Sequence, residues 1–122
     1  MRSALLLLGY ICIAAILVGS LMPGGIGGVP WFRPVVYHLV GYGATAFILV
    51  LALGSDLRRI AGIVLALGAI GALTEVAQIW IPGRDAYVSD VLVNLAGAVI
   101  GVAVAWVARG LVPAAWLGAT RR

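Results

Sequence analysis

Apolar residues run in four long tracts, at about residues 3–22, 35–53, 60–80 and 88–108, with polar residues at their ends or between them. Each tract approaches the roughly 20 residues that an α-helix needs to cross the hydrocarbon core of a bilayer. A segment in that core must pair its own backbone amides and carbonyls, and a helix does so within itself. The pattern therefore predicts an all-α fold, a polytopic membrane protein in which residues 1–122 form one four-transmembrane-helix bundle. The stretches MPGGIGGVPWFRP (22–34), DLRR (56–59) and IPGRD (81–85) become the connections. Their glycines, prolines and charges suit turns and helix ends.

Composition agrees with this pattern and removes other classes. The chain is 64% hydrophobic and 10% charged, which no ordinary water-soluble domain tolerates. Its net charge of +4 comes from arginine alone, and those arginines are dispersed near tract ends. A nucleic-acid partner is not expected, because such binders present a contiguous basic face. Arg2, Arg58, Arg59, Arg109, Arg121 and Arg122 fall on one side of the predicted bundle, so both termini and the middle connection are expected in the cytoplasm. Residues 23–34 and 81–87 then face outward. Cys12, the single cysteine, supports neither an intramolecular disulfide nor a cysteine metal site. The first tract is long for a signal-peptide core and lacks a clear cleavage motif, so it reads as a span. Trp31 and Phe32 suit an interfacial anchor, with a lid over a lateral opening as the functional alternative.

Against this apolar background the stretch TEVAQIWIPGRDAYVSDVLVN, from Thr74 to Asn94, is dense in polar groups. Glu75 and Gln78 are three residues apart and Asp90 and Asn94 four apart, so each pair shares a helical face. The short return makes the third and fourth helices antiparallel neighbours, which brings these faces to similar depth. A carboxylate there must meet a proton, a cation, a hydrogen-bond donor or a water-filled recess. Arg84 is the natural charge partner, Arg33 a second one, and Asp85 reads as solvated. His38 and Tyr42, four residues apart near the outward end of the second helix, add a proton carrier and a hydroxyl. Gly97 and Gly101 in GAVIG form a small-residue stripe for close helix approach, and Gly62, Gly68 and Gly71 predict the same on the third helix.

The run EVAQIWIPGRDAYVSDVLVNLAGAVIG (75–101) together with YHLVGY (37–42) resembles the VanZ-like family of small multispan membrane proteins. The resemblance rests on Glu75, Gln78, Arg84, Asp90, Asn94, Gly97 and Gly101 in the family's order, with His38 and Tyr42 upstream. Where relatives often carry an Asp-Lys pair this chain has Pro34 and Val35, and Arg33 stands next to the lost positive charge. The family takes its name from a protein associated with resistance to teicoplanin. The resemblance implies a cell-envelope or antibiotic-response role and a bacterial cytoplasmic membrane; it implies no common reaction.

Three functions compete on these residues. In the first, the chain recognises a polar envelope lipid or glycopeptide-related ligand from the extracytoplasmic side. Arg84, Arg33, Gln78, Asn94 and Tyr42 would be binding residues, and the carboxylates would position the arginine. In the second it is an intramembrane hydrolase or transferase acting on a lipid-linked envelope molecule, with Glu75, Asp90 and His38 in acid–base roles. Transport or accessory function is the third. The expected partner is a membrane lipid or lipid-linked envelope molecule, with a second copy of the chain as the other candidate. No cofactor is expected; His38, Glu75 and Asp90 could ligate a metal if they converge, but a metal ranks below a proton-sharing network, which accounts for the same residues.

Overall fold

A computed structural model describes residues 1–23 and 34–111. Arg33, Trp31 and Phe32 lie outside the described residues, as do Arg121 and Arg122. The described residues form four helices: α1 (Arg2–Leu21), α2 (Pro34–Leu53), α3 (Leu57–Gln78) and α4 (Val88–Leu111). All four are long and apolar enough to cross a membrane, and no strand is present among the described residues. The predicted all-α architecture with four helices of spanning length is therefore observed among the described residues.

Local chemistry sets the helix ends. Pro34 opens α2, where its missing N–H leaves no bond unmade. Gly54, at φ 109°, ends the same helix with its N–H on Val50 O at 2.9 Å. Asp56 then caps α3 by accepting from the Arg59 N–H at 3.1 Å, so α3 starts before the apolar tract and takes Arg58 and Arg59 into its first turn. At the far end α3 stops at Gln78, two residues short of the predicted tract. A turn begins there and reaches Gly83, whose φ of 75° suits glycine.

The bundle is inside-out relative to a soluble protein. Leu65 and Leu73 are 73% and 68% exposed, and leucine, isoleucine and valine cover much of the outer surface. Among the described residues seven polar or charged ones are buried: Ser20, His38, Thr45, Thr74, Glu75, Gln78 and Asn94. Tyr42, Ala46, Val50, Leu67, Ala98 and Ala105 form the centre of the apolar core.

The most extensive packing is between α2 and α4. There a Cβ on Gly97 would stand 2.5 Å from the Leu39 carbonyl oxygen, and one on Gly101 would overlap the Gly43 carbonyl. The GAVIG stripe is thus a backbone-to-backbone contact with α2. Gly68 and Gly71 receive Leu95 and Asn94 of α4, as expected. Gly62 does not behave as predicted, because nothing lies within 4 Å of a Cβ there. It lies on the exposed face of α3, while its neighbour Ile63 is the one turned into the core.

Three arginines close helix ends. The last carbonyls of a helix have no partner inside it and need donors from elsewhere. Arg59 donates to Leu53 O, and Arg109 donates to Val50 O at 3.2 Å and Leu51 O at 3.1 Å, both at the C-terminus of α2. Arg109 reaches Leu51 from the same nitrogen. Arg84 does the equivalent for α1. The sequence showed Arg59 and Arg109 only as topological charges and Arg84 as a partner for the carboxylates or a ligand, not as closures of helix ends.

Candidate functional site

The end of the bundle where α1 and α3 finish and α2 and α4 begin gathers most of the buried polar groups. Two of the expected binding residues act there as ties. Arg84 donates from Nε to Met22 O at 3.2 Å and from Nη2 to Gly19 O, fastening the α3–α4 return to the end of α1. Gln78, 2% exposed, donates from Nε2 to Ser20 O at 2.9 Å. Arg84 makes no ion pair with Glu75 or Asp90; among the described residues the one ion pair is Arg59–Asp56, at the opposite end. Asp85 is exposed, as expected.

Glu75 has a split role. It is buried one turn before the end of α3, and its Oε2 accepts the Tyr87 N–H at 2.9 Å. Tyr87 immediately precedes α4, so this carboxylate closes the N-terminus of that helix and sits in the positive end of its dipole. Its other oxygen, Oε1, is buried without a partner. Asp90, half-buried, lies in the first turn of α4.

His38 enters the same region from α2. It is 3% exposed, its Nδ1 has no partner, and aromatic rings fix its plane. Tyr42 stacks on it with centroids 6.2 Å apart and an interplanar angle of 20°. Tyr37 meets it edge-on at 5.7 Å and is itself held by a 2.9 Å bond from its hydroxyl to Ala15 O. One potential donor atom from each of His38, Glu75 and Asp90 lies within 4.8 Å of the other two. The convergence that sequence spacing left open is therefore present.

Around this trio other buried groups lack partners. Asn94 is wholly buried one turn deeper on α4, with neither its amide nitrogen nor its oxygen hydrogen-bonded. The Tyr42 hydroxyl and Ser20 Oγ are in the same condition. Thr74 and Thr45 are not, since their hydroxyls bond back to Gly71 O and Gly41 O on their own helices. Ser20 was not among the residues expected at a site. The available signal was a hydroxyl in the last turn of the first tract, at the depth of Gln78.

Buried polar atoms are nearly always satisfied, and an orphan in an apolar interior costs on the order of 1–3 kcal/mol. Among the described residues six such atoms on five residues are concentrated at one end, which makes that end the candidate site. The arrangement offers hydrogen-bond donors, acceptors and a proton carrier behind a half-exposed carboxylate.

A family model described as VanZ/LLP1 matches residues 14–109, well over half of the chain and all of the residues just described as the polar end. No curated protein and no solved structure matches the chain.

Proposed function

The chain belongs to the VanZ/LLP1 family of its matching model, and from that premise we propose that this multi-pass membrane protein recognises the polar head of an envelope lipid or lipid-linked molecule. The observation that carries the reading is the group of buried, unpartnered polar atoms on Ser20, His38, Tyr42, Glu75 and Asn94. A head group rich in hydroxyl and phosphate oxygens supplies both donors and acceptors to such groups. Arg84 and Gln78 keep the recess in shape by holding α3 and its return against α1. An apolar groove of about 340 Å³ between α2 and α4 starts beside His38, at Leu39 and Val40, and suits an acyl chain.

The charge distribution supports a polar end facing the extracytoplasmic side of a bacterial cytoplasmic membrane, since Arg58, Arg59 and Arg109 collect at the other end. A protein that engages envelope lipids there would bear on the response to envelope-directed antibiotics such as teicoplanin. The test is labelling in nanodiscs with two photoreactive probes, a phosphatidylglycerol and a polyprenyl phosphate. We expect one probe to label the polar end selectively and Asn94→Ala to reduce that labelling at least about fivefold, the loss of one or two hydrogen bonds. Equal labelling of both probes, unchanged in folded Asn94→Ala protein, would refute recognition at this site.

The convergence of His38, Glu75 and Asp90 within 4.8 Å favours a second reading, acid–base hydrolysis or group transfer on the same lipid class. Incubation with extracted envelope lipids separates the two. Product formation abolished by Asp90→Asn selects chemistry, and saturable binding without product selects recognition.

A further inference from the structure

We propose that His38, Glu75 and Asp90 bind one divalent transition-metal ion, of the zinc or manganese type, at the polar end of the bundle. This inference stands on the geometry of the three side chains and does not depend on the lipid reading. Their donor atoms come from three different helices, α2, α3 and α4, and lie within 4.8 Å of one another. An ion bound at about 2.0–2.2 Å from each would draw the donors to separations of roughly 3.3 Å, a contraction of at most about 1.5 Å. Side-chain torsions of Glu75 and Asp90 can supply that movement without moving a helix.

Charge balance points the same way. Metal binding takes both carboxylates in the ionised form, and their two negative charges would then face the equivalent of only about half a positive charge at the N-terminus of α4. Neither carboxylate is ion-paired to an arginine among the described residues, and Arg84 is directed at the carbonyls of Gly19 and Met22. A dication closes most of this deficit. Two of the three residues also carry buried atoms without a partner, His38 Nδ1 and Glu75 Oε1.

The surroundings are those of a prepared ligand set. The Tyr87 N–H holds Glu75 Oε2 at 2.9 Å, and Tyr42 and Tyr37 fix the imidazole plane. Such outer contacts orient metal ligands. One imidazole nitrogen with carboxylate oxygens suits zinc, manganese or ferrous iron, whereas magnesium and calcium favour all-oxygen shells. Three protein ligands leave a coordination position for water or for a ligand oxygen. Asn94 lies one turn deeper on α4 with an unpartnered amide.

The competing account is a proton shared between the two carboxylates, and metal uptake decides between them. Protein purified in mild detergent is stripped with chelator, moved to nanodiscs and titrated with Zn²⁺, Mn²⁺, Mg²⁺ and Ca²⁺. Bound metal is read by mass spectrometry and the thermal midpoint is followed in parallel. We expect about one zinc or manganese ion per chain, a saturable rise in Tm, and at least about tenfold weaker uptake in Asp90→Asn and His38→Gln. Magnesium and calcium should give neither. Asp90 is only half-buried, so Asp90→Asn keeps the test alive if His38→Gln fails to fold. The proposal is overturned if folded wild-type protein shows no saturable uptake, or if Asp90→Asn takes up metal as the wild type does. That result would leave lipid labelling, which uses no added metal, to be judged separately.

Discussion

Replacing Gly97 by alanine should separate the two helices that pack most extensively. The added Cβ would stand 2.5 Å from the Leu39 carbonyl oxygen and 3.2 Å from both Leu39 C and Leu39 Cα. An ordinary carbon–oxygen contact needs about 3.3 Å, so α2 and α4 must part by roughly 0.8 Å. Both contacting groups are backbone, so no rotamer change relieves the clash. Overpacking of this kind costs about 1–3 kcal/mol, and a gap of that size forfeits a quarter to a half of the dispersion well along the seam. Alanine returns up to about 1 kcal/mol of helix propensity. The net expectation is a loss of about 2 kcal/mol. Gly62→Ala is the matched control: its Cβ meets nothing within 4 Å, so it should be neutral or stabilising by up to about 1 kcal/mol. Both variants can be unfolded in mixed micelles of mild detergent and sodium dodecyl sulfate, with tryptophan fluorescence as the signal. If Gly97→Ala proves as stable as Gly62→Ala, the close α2–α4 contact does not exist in the membrane.

Other expectations follow from the polar end. Arg84→Ala should cost about 2 kcal/mol by leaving the Gly19 and Met22 carbonyls unpaired. Arg84→Lys should not restore it fully, because an ammonium lacks the planar donor fork; full rescue by lysine in the same unfolding assay would count against a two-point tie. Glu75→Ala should lower stability by about 1–2 kcal/mol through loss of the Tyr87 N–H contact, and hydrogen exchange should speed up in the first turn of α4. Unaltered exchange there would remove the capping role. Asp85→Cys in a Cys12→Ser background should react with an impermeant maleimide added outside intact cells. Labelling only after lysis would reverse the orientation.

Tertiary geometry divides the polar residues into two working groups. Arg84 and Gln78 satisfy carbonyls at the end of α1, and Glu75 gives one oxygen to the start of α4. These contacts hold the ends of α1, α3 and α4 together. His38, Tyr42, Asn94, Ser20 and the second Glu75 oxygen keep unmet hydrogen-bonding capacity inside the bundle. In an apolar interior that is expensive, and the contacts of the first group offset part of that cost.

Some of this was written in the chain itself. Four apolar tracts of spanning length admit only helices, because lipid offers no partner to a bare peptide group. The short return at 81–85 forces Glu75 and Asp90 to the same end, since a few residues cannot carry the chain elsewhere. Register on a helix likewise pairs Glu75 with Gln78 and Asp90 with Asn94. What each polar group touches was not legible, because hydrogen-bond partners depend on how helices rotate and approach. Arg84 finds Gly19, sixty-five residues away, and no local spacing encodes that contact. Gly62 and Gly97 look alike in the sequence, yet only one faces a neighbouring backbone. Convergence of His38 on the two carboxylates was decided the same way, by the packing of α2 against α4. Local order along a chain sets which groups share a face and a depth; only the three-dimensional arrangement settles which faces meet.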